Sequence, residues 1–110
     1  MKKGKGDVYK LPFVPLGKNM IFNCQEWREL NPAARDVYIM LKAKFNGKNN
    51  GDLQLYYSEL QKVRGLRNAQ TISRAFKELE NSGWIERTEA GGLFRKASKY
   101  RLTGKFDVHL

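Results

Sequence analysis

The chain has 110 residues, of which 41% are hydrophobic, and its 21 basic and 11 acidic residues give a formal net charge of +10. This length suits one domain with a small core, and the hydrophobic share excludes a chain that is disordered throughout. Its one cysteine excludes a disulfide framework, and the one histidine beside it makes a metal centre or other cofactor unexpected. The positive charge favours an anionic partner such as nucleic acid, although a basic surface can also serve solubility.

No apolar run has the length of a membrane span, and the N-terminal lysines precede no apolar core of a signal peptide. We therefore expect no membrane partner and a cytoplasmic location. The sequence also holds no acid pair beside a base, no serine–histidine–acid set and no phosphate-binding glycine motif. These absences predict that the protein is not an enzyme.

The N-terminal part of the chain predicts a basic arm followed by a short helix. Residues 1–19 contain five lysines, three glycines and two prolines, which oppose a helix and favour an extended arm. The first lysines of the arm could contact DNA or form a solvated tail. Residues 20–110 are predicted to form the domain itself. Its first helix is expected within Met20–Leu30, with Asn23 as the N-cap and Trp27 turned inward.

A second helix is predicted from Asn31, because an asparagine N-cap followed by proline at the first helical position is a typical start. Gly47 is expected to end it. Its basic residues Arg35, Lys42 and Lys44 are interpreted as a solvent-facing side. The inward apolar stripe consists of Ala34, Val37, Tyr38, Leu41 and Phe45.

The middle of the chain predicts a helix-turn-helix arrangement preceded by a small strand. Residues 46–52 combine three asparagines with two glycines, which predicts a compact turn. Leu53–Leu55 alternates like a short edge strand, and Ser58 is the expected N-cap of the helix that follows. A turn containing Gly65 then leads to Asn68, which gives the order helix, turn, helix.

The next helix carries the strongest signals. Asn68 is its predicted N-cap, Gly83 its left-handed end, and one apolar stripe recurs at helical spacing. Its first half carries basic and polar residues but no acid, while Glu78 and Glu80 follow only in the second half. This order opposes the helix dipole, which favours acids first, and indicates that the N-terminal end must attract anions. The stripe consists of Ile72, Ala75, Phe76 and Leu79.

Two alternating segments near the C-terminus predict a β-hairpin. Trp84–Thr88 and Lys99–Thr103 alternate apolar and polar residues, and a basic loop containing Gly91 and Gly92 joins them. The order of all these elements predicts an α+β fold of the winged helix-turn-helix type. It comprises a three-helix core, a short edge strand, a C-terminal β-hairpin wing and an extra N-terminal helix.

The polar side of the helix after Asn68 suits the major groove of B-DNA, where the N-terminal side chains of a helix reach base edges. Gln70 could pair with adenine and Arg74 with guanine, while the wing would follow the minor groove or its phosphates. The alternative is that these residues form only the polar side of a surface helix. The predicted DNA-binding residues are Arg67, Asn68, Gln70, Thr71, Ser73, Arg74, Lys77, Arg87, Arg95, Lys96 and Lys99.

Residues Thr71–Arg87 resemble the recognition helix and first wing strand of bacterial winged helix-turn-helix regulators, including the GntR-like group. The matching positions are Thr71, Ile72, Ser73, Arg74, Ala75 and Phe76. The resemblance implies Thr71 and Arg74 as DNA-contacting positions. Most of the chain is also similar to small helix-turn-helix proteins of bacterial genomes and mobile elements. That similarity covers Trp27, Leu30, Pro32–Arg35, Asn46–Gly51 and Tyr100–Thr103.

These features together predict a sequence-specific protein that binds double-stranded DNA, with transcription regulation as the expected role. A replication or partition factor of a phage or plasmid-like element is the first alternative, since the same fold serves both. A protein-binding domain is the second, because Tyr9–Leu16 and Phe94 could form exposed apolar surface. A homodimer through the arm or the first helix would let two half-sites be read together.

Overall fold

The computed structural model describes residues 12–92 and 97–108, which form an α+β fold of five helices and one antiparallel β-hairpin. The helices are α1 (Lys18–Asn23), α2 (Gln25–Arg28), α3 (Pro32–Lys42), α4 (Tyr57–Leu60) and α5 (Ala69–Asn81). The strands are β1 (Ile85–Glu89) and β2 (Lys99–Leu102). Most of the predicted basic arm, together with Phe94, Arg95 and Lys96, lies outside the described residues.

The predicted N-terminal helix is divided in two. Cys24 has extended backbone angles (φ −86°, ψ 111°), which separate α1 from α2. The prediction that Asn23 caps this helix is wrong, because Asn23 is the last residue of α1 and its Nδ2 donates to Asn19 Oδ1 at 2.7 Å. Trp27 is buried, as predicted, and α1 begins at Lys18.

The helix predicted from Asn31 is α3, with Pro32 in its first turn as expected. The predicted inward face is confirmed, since the four members of its stripe that fall within α3 are buried. The helix ends at Lys42, before the predicted end at Gly47, so Phe45 packs half-buried from the loop beyond it. Asn31 occupies the N-cap position, but its side chain makes no capping hydrogen bond.

Lys42 contradicts the prediction that the basic residues of this helix face solvent. The residue is 4% exposed, and its Nζ donates to Asp107 Oδ2 at 2.8 Å and to the Pro15 carbonyl at 2.6 Å. The Tyr38 hydroxyl donates to the same Asp107 oxygen at 2.5 Å. Burial, together with this hydrogen bond, raises the pKa of Tyr38 far above its ordinary value. The cluster ties the segments near both ends of the described chain to the C-terminal half of α3.

The short strand predicted at Leu53–Leu55 is reduced to one bridge. Leu53 N donates to the Tyr100 carbonyl at 3.2 Å, and Tyr100 N donates back to the Leu53 carbonyl at 2.9 Å. Further along β2, the Asn50 side chain forms hydrogen bonds with the strand, in place of the backbone of a neighbouring strand. Leu102 N donates to Asn50 Oδ1 at 2.8 Å, and Asn50 Nδ2 donates to the Leu102 carbonyl at 3.0 Å. The Asn50 amide thus occupies the edge of β2 where a longer strand would otherwise pair.

The helix expected from Ser58 onward is the single turn α4. The prediction of Ser58 as its N-cap is wrong, because Tyr56 occupies that position and its backbone N–H donates to Glu59 Oε1 at 3.1 Å. An irregular turn then leads to α5. Gln61 supports this turn, since its Nε2 donates to the Arg67 carbonyl at 3.2 Å.

The helix after Asn68 and the hairpin form as predicted. Asn68 Oδ1 accepts from Gln70 N at 2.8 Å, which confirms the N-cap of α5, and the apolar stripe of α5 is buried. Gly83 has a φ of 85°, a left-handed angle that lets the chain leave the helix toward β1. Phe76 and Tyr100 stack with ring centroids 4.8 Å apart and join α5 to β2.

An aromatic cluster joins the start of the hairpin to α2 and α3. Trp84 is 1% exposed and lies edge-on to Trp27 and Tyr38, with ring centroids 5.5 and 5.3 Å from its own. Its ring also contacts Phe106, at a centroid distance of 4.9 Å. Edge-on aromatic pairs add to the free energy gained from burial alone. The core therefore lies between α3, α5 and the hairpin, with α2 closing one side.

We predict that Lys42→Ala destabilises the fold by about 3–5 kcal/mol, because it removes the buried Lys42 cation from the buried Asp107 carboxylate. Urea unfolding followed by tryptophan fluorescence measures this loss. The matched control is Lys44→Ala, which removes an exposed ion pair with Glu59 and should cost at most about 1 kcal/mol. Equal losses in the two variants would contradict the role assigned to Lys42.

Candidate nucleic-acid interface

One stretch of the chain is strongly basic and contains no acid. Between Glu59 and Glu78 the sequence carries five cations and no aspartate or glutamate. All five side chains are exposed, and within the described part of the chain none of them forms an ion pair. We call this set the α4–α5 basic surface. It consists of Lys62, Arg64, Arg67, Arg74 and Lys77.

The first two turns of α5 carry the residues predicted to contact bases. Gln70 and Arg74 are exposed and four residues apart, which makes them neighbours on one side of the helix. Thr71 and Ser73 are half-buried and therefore present less of their hydroxyl groups to a ligand. Asn68 is exposed, but its Oδ1 is engaged in the N-cap. The structure therefore places Gln70 and Arg74 side by side, and Asn68 acts as the N-cap of α5.

The helix dipole of α5 and the residues around its N-terminal end all favour an anion there. The helix dipole places partial positive charge at this end, and the first turn contains no acidic residue. Arg67 immediately precedes the N-cap and adds a full positive charge there. The cations of the turn before it extend the same field away from the helix.

Lys62 and Arg64 belong to this surface, although neither is among the predicted DNA-binding residues. The structure reduces the helix predicted from Ser58 to the single turn α4, which leaves both side chains exposed in the turn before α5. The signal that could have identified them is the length of the acid-free run. That run begins directly after Glu59, well before Arg67.

The hairpin cations have a different environment. Arg87 Nε lies 3.8 Å from Glu80 Oε1, and Lys99 Nζ lies 3.7 Å from Asp52 Oδ1. The Arg101 guanidinium pairs in the same way with Glu86 on the neighbouring strand, at 3.2 Å. Every cation in the described part of the hairpin therefore has an acidic partner. Arg95 and Lys96, also predicted to bind DNA, lie outside the described residues.

A cleft of about 260 Å³ lies between the start of α3 and the middle of α5. Arg74 and Thr71 line it from α5, and Asn31 lines it from the start of α3. Glu78 spans the cleft, because both of its carboxylate oxygens accept hydrogen bonds from Asn31. The cleft therefore opens beside the side chains that are predicted to contact bases.

Metal ligands and membrane-spanning segments are both missing from residues 12–92 and 97–108. No group of three or more histidine, cysteine, aspartate or glutamate side chains there could hold a metal ion. No helix in those residues is long and apolar enough to cross a membrane. Comparison with protein-family models, curated proteins and solved structures returns no match to this chain. Its function is therefore inferred from its own residues and their arrangement.

Proposed function

We propose that this chain is a winged helix-turn-helix protein that binds double-stranded DNA sequence-specifically and regulates transcription. In this proposal α3, α4 and α5 are the core helices, and the hairpin of β1 and β2 is the wing. α1 and α2 are an N-terminal addition. The short irregular turn between α4 and α5, and the hairpin directly after α5, support this assignment.

The observation that carries the proposal is the α4–α5 basic surface. Its five exposed cations form no ion pair in the described chain, although seven acidic residues lie elsewhere in the described residues 31–92. Like charges concentrated in one segment repel each other, and an anionic partner that neutralises them relieves this repulsion. Duplex DNA supplies such a partner, because it carries about one phosphate charge per 1.7 Å of its axis. A merely solvated surface does not require that the cations be kept apart from the acids.

In the proposed complex, α5 lies in the major groove with Gln70 and Arg74 directed toward base edges. Glutamine can form two hydrogen bonds with adenine, and arginine can form two with guanine. Arg67 and Lys77 flank these residues along the chain and would neutralise phosphates, as would the cations of the turn before α5. Base contacts then supply the sequence preference, and phosphate contacts supply most of the affinity.

Three of the predicted DNA-binding residues have smaller parts in this proposal. Asn68 caps α5 and so presents the positive end of the helix rather than its own side chain. Thr71 and Ser73 are half-buried, and their hydroxyls can reach only groups that approach the helix closely. Thr71 remains the better candidate of the two, because it also lines the cleft beside Arg74.

The proposed wing would exchange protein acids for DNA phosphates. The exposed pairs of Arg87 with Glu80 and of Lys99 with Asp52 are of a kind worth about 0–1 kcal/mol, so phosphates can displace the acids at little cost. The loop residues Arg95 and Lys96 would extend the same contact. The wing therefore adds affinity mainly through the cations of its loop.

Exposed apolar side chains favour protein association as a second candidate function. Phe13, Phe22 and Val108 are 60%, 71% and 83% exposed, and the segments of Phe13 and Val108 lie near the cluster around Lys42. Exposed apolar residues in neighbouring segments are typical of interaction surfaces. Sedimentation velocity of the wild-type chain and of Phe22→Ser tests this candidate. If the wild-type chain and Phe22→Ser both sediment as monomers, and the chain binds DNA without forming a protein complex, this second candidate function is ruled out.

The proposed function predicts that duplex binding depends steeply on salt. If the four cations of the α4–α5 basic surface other than Arg74 each neutralise one phosphate, they should contribute roughly −4 to the slope of log K against log salt, and the wing cations would add to it. Lys62→Gln combined with Arg64→Gln should reduce the magnitude of this slope by about 2. Fluorescence anisotropy at several NaCl concentrations measures it. As a control, Lys18→Gln with Arg28→Gln removes two exposed cations from α1 and α2 and should leave the slope unchanged. Binding without salt dependence, or no binding, would contradict the proposal.

Arg74→Ala is expected to reduce sequence preference more than overall affinity. A duplex selected from a random pool should lose about 1–3 kcal/mol of binding free energy, while an unrelated duplex should lose much less. Competition binding with the two duplexes measures the difference. Lys77→Ala is the matched control on the same helix, and it should weaken both duplexes about equally. If Arg74→Ala also weakens both equally, Arg74 contacts phosphate and not a base.

A further inference from the structure

Glu78 is the acidic residue best placed to neutralise Arg74. It lies four residues after Arg74 on α5, and side chains at this spacing are neighbours on a helix. Both residues also line the same cleft beside α3. Nevertheless Arg74 forms no ion pair within the described residues. The reason lies in what Glu78 binds instead.

Both carboxylate oxygens of Glu78 are engaged by Asn31 at the start of α3. The Asn31 backbone N–H donates to Oε2 at 2.9 Å, and Asn31 Nδ2 donates to Oε1 at 2.8 Å. We call this pair of hydrogen bonds the Asn31–Glu78 clasp. It holds the carboxylate toward α3, and it uses the Asn31 side chain, which makes no capping bond to its own helix.

Three other glutamates of the chain, which Asn31 does not bind, form ion pairs with nearby cations. Glu80, two residues further along α5, pairs with Arg87. Glu59 pairs with Lys44, and Glu86 pairs with an arginine of the neighbouring strand. These three acids form ion pairs with neighbouring cations even where they are exposed. Glu78 departs from that behaviour because Asn31 supplies two donors to it.

We propose that Asn31 is a positioning residue for the DNA-binding site, which keeps the Glu78 carboxylate away from Arg74 and so leaves Arg74 available to a base. This inference rests on the proposed function. Asn31 need not touch DNA in this role. Without the Asn31 side chain, only the backbone N–H of residue 31 still holds the Glu78 carboxylate, so the oxygen that Nδ2 bound can turn along α5 and pair with Arg74. That pair competes with DNA for the guanidinium and brings a negative charge toward the phosphates.

A double-mutant cycle on the complete chain tests the inference. It uses wild type, Asn31→Ala, Glu78→Gln and the double variant, each titrated by anisotropy against the same selected duplex. Asn31→Ala should weaken binding by about three- to tenfold, because the released carboxylate both competes with DNA for Arg74 and repels a phosphate close to it. Glu78→Gln alone should change affinity less than about twofold, since glutamine can keep a hydrogen bond to Asn31. Adding Glu78→Gln to Asn31→Ala should restore affinity to within about twofold of wild type, a coupling that independent sites do not show.

The rescue separates a charge effect from mere damage to the fold. Glu78→Gln removes the acid but repairs no contact to α3, so a purely structural role predicts that the double variant binds no better than Asn31→Ala. Glu80→Gln is the matched control, because it removes an α5 charge that Asn31 does not hold. Its effect should be the same in the wild-type and Asn31→Ala backgrounds. Thermal unfolding of every variant shows whether the binding differences follow stability.

Asn31→Ser provides a second route if Asn31→Ala folds poorly. Serine is a favoured N-cap residue, so it suits the start of α3 while the Nδ2 donor to Glu78 is lost. It should weaken DNA binding in the same direction, and Glu78→Gln should again rescue it. If the wild-type chain binds DNA but Glu78→Gln restores affinity in neither the Asn31→Ala nor the Asn31→Ser variant, this inference is overturned while the proposed function stands. If the wild-type chain shows no salt-dependent binding to duplex DNA, the proposed function fails and this inference fails with it.

Discussion

The packing of α5 against α3 is the contact on which the rest of the structure depends. The apolar stripe of α5 is buried in it, so the polar side of the same helix must face outward. The hairpin leaves directly from the end of α5, and Trp84 at its start fills the space beside α3. Lys42 near the end of α3 holds the two terminal segments. The contact between α3 and α5 thus orients the basic surface, and these two helices anchor the hairpin and the terminal segments.

The distribution of acids gives this arrangement its electrostatic character. In the described chain, acids accompany the cations of the hairpin, of the turn after α3 and of the buried cluster at Lys42. The α4–α5 basic surface differs from these sites, because its stretch of sequence contains no acid and none of its five cations forms an ion pair within the described residues. Other cations without an ion pair there, namely Lys18, Arg28, Arg35, Lys48 and Lys105, are scattered along the chain. The concentration of unpaired cations in one stretch, more than the net charge, motivates a nucleic-acid partner.

Local signals predicted most of the fold, because they depend on residues one or two turns apart. The Asn68 cap, the stripes of α3 and α5 and the left-handed Gly83 are all of this kind. Some errors are local, since neither Asn23 nor Ser58 is the N-cap that was predicted. Others involve distant partners: Lys42 is buried because Asp107 meets it from 65 residues away. The predicted strand at Leu53–Leu55 shrinks because a side-chain amide holds the edge of β2 instead. For the candidate site, the exposed polar side of α5 could be predicted from the sequence. The acidic partners of the hairpin cations could not, because they lie on other elements of the fold.

Asn31 shows how a local rule gives way to a long-range contact at the site. Asparagine before Pro32 is expected to cap α3, yet its side chain binds an acid 47 residues away. Pro32 lowers the cost of this exchange, because proline has no N–H that needs a cap. The Glu78 carboxylate itself lies at the positive end of α3, where the helix dipole stabilises an anion. The clasp therefore satisfies Asn31, suits α3 and directs the Glu78 carboxylate toward α3 instead of toward its neighbour Arg74. A single substitution at the start of α3 can in this way alter a surface formed by another helix.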